Sequence, residues 1–212
     1  MPKIAASERD AFYETRRTEL ADVALKLWAD QGFDATSVAS IAEAAGVSKG
    51  TFYLYFASKQ ALLEDVLRRY SLLPNIRSLA EDLADRPFDE AVATFVREAW
   101  AHLREHRDLV RLALRELPTH VEQVQEALEH IFLPGNRLIA AYLEARLGEE
   151  RAREISFVVA GRGLVGMVMM MFLTQEILGA GRFLPLSEEE VTTTIAQVFL
   201  HGVVGERAET SA

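Results

Sequence analysis

Apolar residues recur at intervals of three and four along almost the whole chain, and no stretch sustains the period of two that a half-buried strand requires. A chain patterned this way buries its stripes by packing helix on helix, so the expected class is all-α. Leu20, Val23, Ala24, Leu27 and Trp28 form one stripe, stopped by Gly32. Val38, Ile41, Ala42 and Ala45 form a second, opened by Thr36 or Ser37 and closed by Gly46. Ser48 is placed to cap a short third helix with Phe52, Tyr55 and Phe56. Ser58 is placed to cap a fourth with Leu62, Leu63, Val66, Leu67 and Tyr70, and Pro74 is its expected stop.

Past Pro74 the patterns lengthen, which marks a second unit. Phe88, Val92, Phe95, Val96, Ala99 and Leu103 share a face. Val121 to Leu147 holds another pattern, interrupted at Pro134-Gly135, and Ile155 to Leu178 follows. After Gly179-Ala180-Gly181, Ser187 ahead of Glu188, Glu189 and Glu190 opens a last helix, since acidic residues suit a helix N-terminus. The expected division is therefore 1–73, with its core at 17–63, and 74–212.

Composition narrows the function. The chain has 212 residues, half of them hydrophobic, and no cysteine, which removes disulfide frameworks, thiolate metal sites and cysteine nucleophiles. Its net charge of −9 repels nucleic acid, so any contact with DNA must be local. Ile155–Leu173 is long enough to span a bilayer, but Arg162 lies inside it and Glu149, Glu150 and Glu154 precede it, so burial against protein is expected instead of a membrane. No apolar export core follows Met1–Ala6, and a cytoplasmic address is the expectation.

Thr36 to Phe56 reads TSVASIAEAAGVSKGTFYLYF, a helix, a tight turn at Gly46-Val47-Ser48 and a short second helix. Ala42 and Ala45 are small enough for two helices to cross closely, and Gly46 allows the positive φ of the turn. A plain helical hairpin would share that layout. The second helix carries more: Ser48, Lys49, Gly50, Thr51, Tyr53 and Tyr55 are hydrogen-bonding or backbone-exposing residues opposite the anchors Phe52 and Phe56. In a major groove, Lys49, Thr51 and Tyr55 reach base edges or backbone, while Tyr53 and Lys59 grip flanking phosphates, with Thr36 and Ser37 at the start of the preceding helix. The segment 36–59 carries a net charge of only +1, with Lys3, Arg9, Arg16 and Arg17 available as an arm.

From Arg17 through Leu63 the chain resembles the TetR family of bacterial transcription regulators. Leu20 to Trp28 is similar to the family's first helix, Gly32-Phe33-Asp34-Ala35-Thr36 to its link, Ile41-Ala42-Glu43-Ala44-Ala45-Gly46-Val47-Ser48 to its turn, Lys49 to Phe56 to its recognition helix, and Ser58-Lys59-Gln60-Ala61-Leu62 to its fourth. Trp28, Tyr55 and Gln60 depart from the usual Phe, His and Glu. The resemblance implies an N-terminal three-helix, homeodomain-like helix-turn-helix domain and a C-terminal helical bundle that dimerises and binds an effector. It implies a repressor that a small molecule releases from a palindromic operator, with no catalytic residues, metal or cofactor.

The apolar side chains of the second unit nominate its sites. Phe95, Trp100, Phe132, Tyr142, Met167 and Met171 are candidates for an effector pocket suited to an apolar, aromatic or acyl ligand, because methionines re-pack around varied shapes. Gly163, Gly166, Val191, Ile195, Val198 and Phe199 are candidates for a homodimer seam. Two literal motifs keep an enzyme as the alternative: Gly161-Arg-Gly163-Leu-Val-Gly166 has dinucleotide-fingerprint spacing, and His102-Leu-Arg-Glu105-His106 has the spacing of an inverted zinc-protease string. A helical scaffold for protein partners is the other. Arg104, Arg107, Arg111 and Arg115 would make a basic stripe on a continuous helix, and a break at His106 would disperse it.

Overall fold

The computed structural model describes residues 6–83, 85–116 and 128–204, and every described segment of regular structure is helical. Helices α1 (Ala6–Gln31), α2 (Val38–Ala44), α3 (Lys49–Tyr55) and α4 (Lys59–Tyr70) come first. They are followed by α5 (Leu73–Asp82), α6 (Phe88–Glu105) and α7 (Arg107–Glu116), then a π-type turn (Leu128–Phe132) that leads into α8 (Leu133–Glu154). A second π-type turn (Leu173–Ile177) ends α9 (Phe157–Phe172), and α10 (Glu188–Val204) closes the described chain. Lys3, Val121 and the opening of the long pattern that Val121 begins lie outside the described residues.

Local signals set most boundaries. Ser37, Ser48 and Ser58 are the N-caps of α2, α3 and α4, each accepting a backbone N–H three residues on. Ser187 does the same for Glu190 at the start of α10. Gly32 and Gly46 sit at φ 94° and 68°, where a Cβ would clash with the chain's own carbonyl. Pro74 differs from expectation: it lies in the first turn of α5, where the missing N–H has no helical partner to lose, and so begins a helix instead of ending one.

The chain forms two compact units, one holding α1 to α4 together with 108–124, the other 72–107 with the residues from 125 onward. The first unit's core is Leu20, Ala24, Trp28, Phe33, Ile41, Ala42, Phe52, Phe56, Leu62 and Val66. Leu112 of α7 joins it, although a boundary at 73/74 assigns that segment elsewhere. α6 stops at His106, and beyond it the Arg115 guanidinium donates to the carbonyls of Asp30 and Gln31 while Glu116 accepts the Phe33 amide. These partners lie more than eighty residues away in sequence, so the apolar pattern of α7 could not announce them.

In the second unit, α9 is seated on α8 at Gly161, where a Cβ would come within 2.7 Å of Ile139 Cγ2. Gly135 of α8 lets α5 approach in the same way, through Ile76. Val92, Val96, Trp100, Val168, Phe172, Ile195 and Phe199 are buried around these crossings.

Candidate functional site

The turn between α2 and α3 is built from backbone bonds. Ser37 and Ser40 cap each other's amides at the start of α2, and the Val47 amide bonds to the Ala42 carbonyl at 2.9 Å across the left-handed Gly46. At the start of α3 the Ser48 hydroxyl accepts the Thr51 amide at 3.0 Å and pairs with the Thr51 hydroxyl. Phe52 points into the core with no exposed surface. At about 100° per residue, Gly50 and Leu54 then fall on the face opposite Phe52, with Lys49 and Tyr53 on one flank and Thr51 on the other. Lys49, Gly50, Tyr53 and Leu54 are exposed, and Leu54 is 72 % so.

Three of the expected contact residues are held elsewhere. Thr36 is buried, and its hydroxyl donates to the Gly32 carbonyl at 2.7 Å, which shapes the link between α1 and α2. Tyr55 lies against Tyr13 of α1, ring centroids 4.8 Å apart, so it is a packing residue of the third helix and not a free probe. The Lys59 ammonium sits 4.3 Å from the Phe33 ring centroid and donates to the carbonyls of Phe33 and Thr36 at 2.8 and 3.0 Å. Two of its three donors are thereby engaged, leaving one for an outside anion. Its main role is to pin the start of α4 to the α1–α2 link.

The orientation of α3 also depends on Tyr13 and Asp65, which the sequence did not single out, and on Arg17, which is held inside the unit instead of serving in a free arm. The Tyr13 hydroxyl donates to the Leu54 carbonyl at 3.1 Å, meeting one of the unpaired carbonyls at the C-terminal end of α3. Arg17 lies 4.6 Å above the Phe56 ring and reaches Asp65 of α4 at 2.7 Å. Asp65, 3 % exposed, also takes Arg69 at 2.5 Å and Arg68 at 3.0 Å. Burial pushes its carboxyl upward in pKa, but the hydrogen bonds from Arg69 and Arg17 outweigh that and hold it below the usual carboxylate range. Nearby, burial and the bond to Asp22 hold the Tyr70 hydroxyl above the ordinary phenol range. α1 and α4 are thus clamped by buried charge as well as by apolar packing.

The second unit contains a small apolar cleft, open on one side and enclosing about 40 Å³, with α5, α6, α8, α9 and α10 all contributing to its lining. Ile76, Val92, Ile139, Leu164 and Phe199 form walls beside Phe95 and Tyr142. Of the six expected lining residues, Phe95 and Tyr142 lie on this cleft. Trp100 is buried edge-on against Phe172, ring centroids 5.4 Å apart, and belongs to the core. Phe132 is exposed, and Met167 and Met171 are half-buried outside the lining. Burial pushes the Tyr142 hydroxyl up in pKa against the opposing charge of Arg146.

The expected seam divides in the same way. Val191, Ile195 and Phe199 are buried in their own chain, because the inward face of α10 carries the stronger apolar stripe. Val198, Gly163 and Gly166 are exposed, and a Cβ at either glycine would meet nothing within 4 Å. By helical spacing Gly163 and Gly166 share an outward face of α9 with Val159 and Met170, which are 68 and 58 % exposed, while Val198 is exposed on α10. Phe157–Ile177 is long and apolar enough to cross a membrane by length and composition, and most of it is not buried within the described chain.

The literal motifs resolve into helix. Gly161 to Gly166 lies inside α9, so it forms no phosphate-cradling turn, and Gly161 serves the crossing with α8. The His102 and His106 rings meet edge to face with centroids 4.4 Å apart, and among the described residues no three metal-ligating side chains converge. The arginine stripe is interrupted at His106: Arg104 pairs with Glu188, Arg111 with Asp108, and Arg115 caps α1.

Residues 20–66 match the family model described as bacterial regulatory proteins, tetR family. The chain is similar to the HTH-type transcriptional regulator YerO of Bacillus subtilis, 28 % identical over 73 % of this chain and 55 % of that protein. It is also similar to the HTH-type transcriptional repressor KstR2 of Rhodococcus jostii, 40 % identical over 40 % of this chain and 43 % of that one. The chain thus spans about half the length of the curated relatives it matches. Among solved structures, its fold is like that of the transcriptional regulator FadR of Bacillus subtilis in complex with stearoyl-CoA. The TM-score is 0.68 and the identity 18 %, over 87 % of this chain and 98 % of that one.

Proposed function

The chain belongs to the TetR family of bacterial regulatory proteins, and on that premise we propose that it is a cytoplasmic DNA-binding transcriptional repressor, released from a palindromic operator by a small apolar effector. The observation that carries this reading is the outer edge of α3. Gly50 has a helical backbone and open space around it, with Ser48 Oγ at 3.7 Å the one described atom near a would-be Cβ, so nothing among the described residues requires glycine there. Glycine forms helix less readily than alanine, a cost that is largest in a helix interior and smaller in the first turn where Gly50 lies. A residue that weakens its own helix and relieves no internal contact is explained by a partner whose backbone must come close. A phosphate edge of a duplex is such a partner.

In this proposal Lys49 and Tyr53 hold phosphates beside α3, and Ser37, Ser48 and Thr51 add hydroxyls near the starts of α2 and α3. The reading part is 1–73 extended by α7, and the remainder dimerises and binds effector. Two copies pair through the outward surface of α9 and α10 around Val159, Gly163, Gly166, Met170 and Val198. A two-fold pair sets two reading helices on successive turns of one DNA face, about 34 Å apart. The apolar cleft suits an acyl or other hydrocarbon ligand, and FadR with stearoyl-CoA is a fold relative that holds an acyl chain. Effector and DNA must weaken each other's binding by the same factor, because the coupling free energy is shared.

Selection of bound duplexes from a random pool at low ionic strength tests the reading. Enrichment of a palindrome is the expected result, and a pool that stays random overturns it. Titration of fatty acyl thioesters with and without the recovered duplex then tests the effector class. Equal affinities in the two titrations overturn an acyl effector.

A further inference from the structure

We propose that Leu54 is a specificity-determining residue that reads the C5 methyl of a thymine in the major groove, an inference that rests on the DNA-binding reading above. On α3 the residue diametrically opposite the buried Phe52 is the one that projects furthest from the unit, and that direction is shared by Gly50 and Leu54 alone. Gly50 has no side chain. Leu54 is therefore the outermost side chain on this face, and it is 72 % exposed. The next residue, Tyr55, is turned onto Tyr13. Tyr13 also fixes the place of Leu54 by donating to its carbonyl at 3.1 Å, so the side chain springs from an anchored backbone.

The chemistry of the side chain selects its counterpart. A leucine has no donor or acceptor, so it cannot use the hydrogen-bonding groups of guanine, adenine or cytosine, and its contact with phosphate is unfavourable. The one apolar group that the four bases offer in the major groove is the thymine C5 methyl. With Gly50 beside it on the outer face, the helix can approach until Leu54 covers that methyl, while Lys49 on the flank stays free for phosphate.

The test uses the duplex recovered by selection, with each thymine replaced in turn by deoxyuridine in both half-sites, against the wild-type chain and Leu54→Ala. Removing one covered methyl is expected to weaken wild-type binding about fourfold per half-site, about sixteenfold for a dimer, which is ~0.8 kcal/mol per methyl. At that position Leu54→Ala should bind the thymine and uracil duplexes equally well. If every deoxyuridine position affects both proteins alike, or none affects the wild type, the assignment of Leu54 is overturned and the regulator reading stands. If no duplex is recovered at all, both fall together.

Discussion

Replacing Gly50 by alanine should move stability and DNA affinity in opposite directions. The added Cβ meets only Ser48 Oγ at 3.7 Å, ordinary van der Waals contact, so the folded unit accepts it without strain. Alanine reduces the entropy of the unfolded chain, and near a helix start the gain is about 0.5–1 kcal/mol. For a unit of this size, that raises the melting temperature by roughly 3–6 °C. Helix geometry leaves the amides of Lys49 and Gly50 without intrahelical carbonyls, since the Ser48 hydroxyl serves only Thr51. A methyl at Gly50 holds a phosphate away from them. One charge-assisted hydrogen bond lost per half-site is worth about 1.5–3 kcal/mol, so a dimer loses ~3–6 kcal/mol, a fall of about 10²- to 10⁴-fold in affinity. Thermal melts give the first quantity, and fluorescence anisotropy with the selected duplex at fixed salt gives the second. Affinity within twofold of wild type, with the stability gain in place, would refute the claim that the backbone approaches DNA at this residue. A loss of stability would show an internal role for the glycine instead.

Asp65→Asn should lower the stability of the first unit by about 2 kcal/mol, the value for breaking a buried pair reduced for the partial exposure of Arg17 and Arg69. Because Asp65 titrates below its ordinary range when folded, its contribution is present above an unfolded pKa of about 3.9 and fades as pH falls through the lower folded value. Urea melts from pH 3 to 7, followed by Trp28 fluorescence in a Trp100→Phe background, should show this acid-side loss in the wild type and not in Asp65→Asn. Parallel profiles would count against it. Lys49→Ala should remove about two phosphate contacts from a dimer and flatten the log–log salt slope by roughly 1.8, whereas an unchanged slope in anisotropy titrations would move Lys49 off the backbone. Val159→Glu combined with Met170→Glu should convert dimer to monomer in sedimentation velocity, since both residues are exposed in the single chain. A dimer surviving at the same concentration would place the seam elsewhere.

Sequence by itself determined the features that depend on neighbours within four residues. Ser37, Ser48 and Ser58 cap the next helices because a hydroxyl one position ahead of a helix reaches an amide three residues on. Gly32 and Gly46 take left-handed backbone because the turns require it, and the apolar spacing identifies Phe52 as the inward anchor of α3. Only the tertiary structure decided what each exposed-looking residue would do. Lys59 meets the carbonyls of Phe33 and Thr36, 26 and 23 positions away, Tyr55 meets Tyr13, and Arg115 meets Asp30. In the second unit, cleft, core and outward surface are all built from the same apolar residues, so composition could not sort Phe95 from Trp100 or Val198 from Phe199. The physical reason is range: caps and turns are satisfied by atoms a few bonds along the chain, whereas burial and pairing depend on which distant helix arrives at a given face.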